Sequence, residues 1–133
     1  MIDIESEIYD PIAKTLRKEF PGINVSGEYV RSPSVFPHVT IEESDNYISQ
    51  DKLSSSDVEE YSSLLYTVNV YSNKTSGKKA ECRKIMTRIS ELLYAKNFRR
   101  ISCTPVPNMQ NATIYRLVAQ FVVETDGTTL YRR

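Results

Sequence analysis

Residues 64–96 read LLYTVNVYSNKTSGKKAECRKIMTRISELLYAK, a strand and a helix with one break between them. In Leu64 to Ser72, Tyr66, Val68 and Val70 alternate with Leu65, Thr67, Asn69 and Tyr71, so successive side chains serve two faces of a pleated strand. Asn73 to Gly77 interrupts that alternation. From about Ser76 to Lys96 the period becomes helical, with Cys82, Ile85, Met86, Ile89, Leu92 and Leu93 on one face, which predicts core positions. Thr75 or Ser76 is placed to cap the start of this helix, and Asn97 to take a left-handed conformation just past its end. A strand apolar on both faces needs neighbours, so the flanking segments should supply more sheet.

Upstream, Ile4, Ile8, Ile12, Leu16 and Phe20 recur every four residues, with Asp3, Glu5, Glu7 and Asp10 near the start, where a helix macrodipole favours anions. This predicts an amphipathic helix over about residues 3–20. Pro11 removes the bond to the carbonyl of residue 7 and tends to kink a helix; the alternative is a start at Asp10 with Pro11 in the first position. Unbroken apolar spacing favours one kinked helix, stopped by Pro21-Gly22. Ile23 to Val30 and Val39 to Glu43, joined through a Ser-Pro loop at 32–34, read as two short antiparallel strands. From Glu42 to Glu60, seven acids stand against Lys52 among several serines, which predicts a polar acidic loop at about 43–60.

Downstream, Phe98 to Thr104 and Thr113 to Glu124 read as strands around a loop at 105–111. The last strand puts Tyr115, Leu117, Ala119, Phe121 and Val123 on one face. Its other face mixes Ile114, Val118 and Val122 with Arg116 and Gln120, so it should meet either a loop of its own chain or another subunit. Asp126-Gly127 suits a turn, and Thr128 to Arg133 a short strand or a tail. The order α-β-β-β-α-β-β implies an α+β fold, a mainly antiparallel sheet with both amphipathic helices packed on one face. At 133 residues this is one domain, 1–133.

Composition is that of an ordinary globular chain: 40% hydrophobic, 26% charged, mean hydropathy −0.41, pI near 6.6. No apolar run approaches the ~18 residues of a membrane span, and the acidic start is unlike a secretory signal, so a cytoplasm-like compartment without membrane contact is expected. Charge is uneven. Residues 1–73 carry 5 basic and 13 acidic side chains, a net of −8, and residues 74–133 carry 12 basic and 4 acidic, a net of +8. Either the halves interleave and the signs mix, or the subunit has a negative and a positive side, as head-to-tail assembly favours.

Little here is suited to catalysis. His38 is the one imidazole and enters a strand; Cys82 and Cys103 read as small buried residues without a partner to lower their pKa. The acids between Glu42 and Glu60 lack the ligand spacing of a calcium loop, and the four glycines stand alone, so no metal or other cofactor is expected. Arg99-Arg100 and Arg132-Arg133 are not embedded in the aromatic strand motif of an RNA-binding sheet. Nine Tyr and no Trp suggest amphipathic anchors for protein contacts. A non-enzymatic protein-binding module is the residue-level expectation.

Three segments carry a resemblance. They are Gly27-Glu28-Tyr29-Val30-Arg31-Ser32-Pro33 with Phe36-Pro37-His38-Val39-Thr40; Tyr66 to Asn73 running into Gly77-Lys78-Lys79-Ala80-Glu81-Cys82; and Pro105-Val106-Pro107-Asn108 with Ala112-Thr113-Ile114-Tyr115-Arg116. With the length and element order, they resemble the small tail terminator proteins of long-tailed bacteriophages and prophages, also called tail completion or tail-to-head joining proteins.

The resemblance implies a homo-oligomeric ring, usually a hexamer, that caps the tail tube, stops its polymerisation and presents a surface to the head connector. It implies as partners the chain itself, the major tail tube protein and the head completion protein, with DNA passing through the lumen without sequence-specific binding. The place implied is the head–tail junction of the virion, after assembly in the bacterial host cytoplasm. Two competing expectations are another neck protein, such as a head completion or stopper protein, and a monomeric nucleic-acid-binding α+β domain.

Candidate interface residues follow. Asp45, Asp51, Asp57, Glu59 and Glu60 are expected on an acidic arm that orders against tube or neighbouring subunit. Arg99, Arg100 and Arg116 are expected at the ring contact or lumen, and Ile114, Val118 and Val122 on the partly apolar second face.

Overall fold

The computed structural model describes residues 1–30, 33–48, 61–107 and 112–131. Their elements are α1 (Glu5–Glu19), β1 (Asn24–Ser26), β2 (His38–Ile48), β3 (Ser62–Ser72), α2 (Lys78–Ala95), β4 (Arg99–Pro105), β5 (Tyr115–Thr125) and β6 (Leu130–Tyr131). The strands form one sheet in the order β1-β2-β3-β5-β4, with β6 pairing the far end of β5. Every pairing except β1 with β2 is antiparallel. This is the expected α+β fold.

α1 continues through Pro11, because burying Ile8, Ile12, Ala13 and Leu16 against the sheet outweighs one missing backbone bond. Acids in its first turn and Arg17 and Lys18 in its last match the macrodipole. α2 buries Cys82, Ile85, Met86, Ile89 and Leu93, while Leu92 is only half-buried at the margin of the same cluster. The expected cap at Thr75 or Ser76 is not used. Gly77 takes the N-cap position at φ +82° with no side-chain cap, a conformation glycine adopts without Cβ strain. Asn97 follows the helix at φ +69°, as its place in the sequence suggests, and its side-chain amide donates to the Leu130 carbonyl at 2.8 Å.

The helices pack on the face formed by Val39 and Ile41 of β2, Leu64, Tyr66, Val68 and Val70 of β3, and Leu117, Ala119, Phe121 and Val123 of β5. α1 lies beside β1, where the Tyr9 hydroxyl and Arg17 both donate to the Val25 carbonyl. α2 lies over β3, β5 and β4. The order therefore keeps the two halves of the chain apart: α1, β1, β2 and β3 on one side, β5, β4, β6 and most of α2 on the other.

Three expectations are corrected. β1 is three residues long and runs parallel to β2, pairing Asn24 with His38 and Ser26 with Thr40. A parallel pair needs a crossover of about a dozen residues. The connection from β1 to β2 has room for it, and its described residues Tyr29 and Val30 lie over the face away from the helices: Val30 accepts from the Tyr71 hydroxyl and the Tyr29 ring lies 5.7 Å from the Arg116 guanidinium. The second correction concerns the acidic loop: residues through Ile48 belong to β2, paired with β3 as far as Ser62. Ladder bonding and an apolar partner strand outweigh the polar composition there. The rest of the expected loop, 49–60, lies outside the described residues, and with it Asp51, Asp57, Glu59 and Glu60. Cys103, the third, is only partly buried, on the strand β4, which among the described residues is paired along one side alone.

Candidate protein-interaction site

Two β-bulges shape the face opposite the helices. In β2 the register slips between Glu43 and Asp45. Ser44 is the extra residue, its hydroxyl 2.8 Å from Thr67 Oγ1 and 3.1 Å from the Leu65 carbonyl. Before the slip the odd positions Val39 and Ile41 face the helices; after it Asn46 does, donating to the Ile2 carbonyl at 2.8 Å, so Asp45 is turned outward. In β4 the register slips between Arg100 and Ser102, with Ile101 as the extra residue. Arg99, paired with Val122, faces outward, and Arg100, paired with Phe121, faces the helix side.

Between the bulges lies a cleft of about 530 Å³ lined by Asp45, Tyr47, Leu65, Arg99, Ile101 and Val122. Leu65 and Val122, paired across β3 and β5, form the floor. Asp45 and Tyr47 form one wall and Arg99 and Ile101 the other. Ile101 is 49% exposed and Tyr47 39%. Asp45, Arg99 and Arg100 make no ion pair among the described residues. The cleft is amphipathic, acidic on one side and basic on the other, with an apolar floor that water covers poorly.

Of the sequence-predicted interface residues, three meet here: Asp45, Arg99 and Val122. Arg100 lies around the β4 edge, in a small cleft of about 120 Å³ with Arg83 of α2. Arg116 and Val118 point to the same outer face further along β5, with Arg116 six residues, about 20 Å, from Val122. Arg116 is held within its own chain, donating from Nε to Asn69 Oδ1 at 3.0 Å with its guanidinium near the Tyr29 and Tyr71 rings. Ile114 precedes β5 and lines a separate cleft with Pro105, Val106 and Pro107. Of the two occupants considered for the second face of β5, the Tyr29–Val30 crossover covers the Arg116 end.

Tyr47, Leu65 and Ile101 were missed by sequence reasoning. The available signal was a slip in phase: Phe98 and Cys103 are both apolar yet an odd number apart, which one extra residue reconciles.

Elsewhere several buried polar groups bond within the fold. The Tyr66 hydroxyl donates to Glu43 Oε1 at 3.2 Å, and the Glu43 amide donates to Glu5 Oε2 at 3.1 Å. Burial, with Glu5 and Asp3 nearby, raises the Glu43 pKa against the lowering effect of bonds from Asn46 and Tyr66. The Cys82 thiol is pushed up to about 12, chiefly by burial, and lies 3.6 Å from the Val70 carbonyl. His38 is buried against the Tyr71 ring at 5.8 Å, with burial lowering its pKa. Among the described residues no three His, Cys, Asp or Glu side chains are grouped to share a metal ion, and no helix is long and apolar enough to cross a membrane.

No protein-family model matches the chain, and no curated protein matches it in sequence.

Proposed function

We propose that this chain is a tail terminator of a long-tailed bacteriophage or prophage, a structural and non-enzymatic virion protein. Copies assemble into a ring, six in number by the resemblance, that caps the tail tube, stops its polymerisation and joins the tail to the head completion protein. DNA passes through the lumen unread. The place of action is the head–tail junction, after assembly in the bacterial cytoplasm.

The observation that carries this reading is the separation of charge across the sheet. The acidic half of the chain builds the β1–β2 flank and the basic half the β4 flank, and an amphipathic cleft lies between them. A ring needs two different complementary patches on each subunit, since a head-to-tail contact closes only through unlike surfaces. The site chemistry agrees with a binding role: the one imidazole is buried with a lowered pKa, and the Cys82 thiol is far from ionising at neutral pH.

The test is mass measurement and negative-stain imaging of purified protein across concentrations, followed by tube polymerisation with and without it. Rings and tubes of limited length are expected. A chain that stays monomeric when concentrated, while tubes elongate equally far in its presence, overturns the proposal. Salt-dependent nucleic-acid binding by single subunits would replace it with the nucleic-acid-binding reading.

A further inference from the structure

We infer that the β4 edge of one copy docks against the β2 edge of the next, through Arg99, Arg100 and Ile101 on one flank and Glu42, Asp45 and Tyr47 on the other. The inference rests on the reading of the chain as a self-assembling subunit and names the surfaces that reading leaves open.

Among the described residues β4 pairs only with β5, at the end of the sheet. Its exposed residues include two consecutive arginines, Arg99 and Arg100, followed by Ile101, which the bulge places outside the regular alternation. Charges and bulges of this kind keep an edge strand from pairing indiscriminately, so contact here runs through side chains. At the other end of the sheet, β1 covers β2 only from His38 to Thr40. Beyond that, Glu42 and Asp45 face the outer side, and Tyr47 and Ile48 are 39% and 40% exposed. The Glu43 amide is already bonded to Glu5, so this flank also offers side chains instead of a free ladder.

Each flank thus has an apolar anchor beside charges of one sign, and the signs are opposite. Within one chain they form no ion pair among the described residues, since the backbones of β2 and β4 are three strand spacings apart, about 14 Å. Brought together between copies, they satisfy each other and bury the anchors.

A charge-reversal cycle tests this. Arg99→Glu with Arg100→Glu makes both flanks acidic, and Glu42→Lys with Asp45→Lys makes both basic. All four side chains are exposed or half-exposed, so thermal melting should show folded subunits in each case. Each variant alone should need at least about tenfold more protein to assemble, because like charges then meet. An equimolar mixture should restore assembly with strictly alternating chains, and so should all four substitutions in one chain. Wild-type assembly unaffected by either reversal would sink this pairing while leaving the ring intact. Wild-type protein that never assembles would remove the ring, and the pairing with it. Reversals that abolish assembly without rescue on mixing would also overturn the pairing, since the two flanks would then not meet each other.

Discussion

His38 is 2% exposed, and neither ring nitrogen has a hydrogen-bond partner. It stands between the Tyr71 ring and a cleft lined by Glu5 and Glu28, with Arg116 on the other side of Tyr71. Burial disfavours its charged form. The unfolded imidazole binds a proton near pH 6.5 and the folded one resists it, so the His38 contribution is full above pH 6.5 and declines as pH falls toward the lowered folded pKa. Glu43 works the other way. Its raised pKa means that ionisation costs stability above pH 4.5, and acid relieves the cost as pH falls through the folded value. Comparing His38→Phe with wild type in thermal melts between pH 7.5 and 5 separates the two. The variant should gain about 1 kcal/mol at neutral pH, by losing two unpaired polar atoms, and lose less stability on acidification. Equal slopes would show that His38 finds a partner in solution. That His38 enters a strand was legible in the sequence; that both its ring nitrogens lack partners was not, because this depends on the Tyr71 ring that the pairing of β2 with β3 brings beside it.

At the level of elements, the bulge at Ser44 decides which way Asp45 faces. Deleting Ser44 removes the extra residue and leaves Glu43 opposite Tyr66 and Asp45 opposite Leu65, so Asp45 still faces outward. Losing the Ser44 bonds to Thr67 and the Leu65 carbonyl should cost about 1 kcal/mol, read as a slightly lower urea midpoint. A loss above about 3 kcal/mol would mean that the strand has slipped by one residue and buried the Asp45 carboxylate. The strand β3 and both helices were readable because their apolar periods are long and uninterrupted. β1 was misassigned as antiparallel because adjacent short strands usually form hairpins, and nothing in the local residues shows that the connection crosses a face. Acidic composition likewise concealed the second half of β2, since pairing with β3 lies outside the reach of local propensity.

Across the whole molecule, the opposite charges of the two chain halves become opposite flanks because the sheet order keeps the halves side by side. One exposed bidentate contact, from Arg88 Nε and Nη2 in the middle of α2 to Glu19 at the end of α1, at 2.8 and 2.9 Å, links them. If the flanks drive association, raising salt from about 0.05 M to 0.5 M should weaken assembly several-fold by light scattering. Ile101→Ser should weaken it about tenfold at every salt concentration, since it removes an anchor and leaves the charges. Salt-independent assembly would place the contact on an apolar surface elsewhere. By itself the sequence determined the α+β class, the faces of both helices and of β3, and the imbalance of charge, because these follow from periodicity and composition within continuous stretches. Only the tertiary structure decided that the charges segregate in space, that Asp45, Arg99 and Val122 share one cleft, and that Arg116 is held by its own chain. Those facts depend on strand order and on two single-residue slips in register, which long-range pairing sets and local sequence does not.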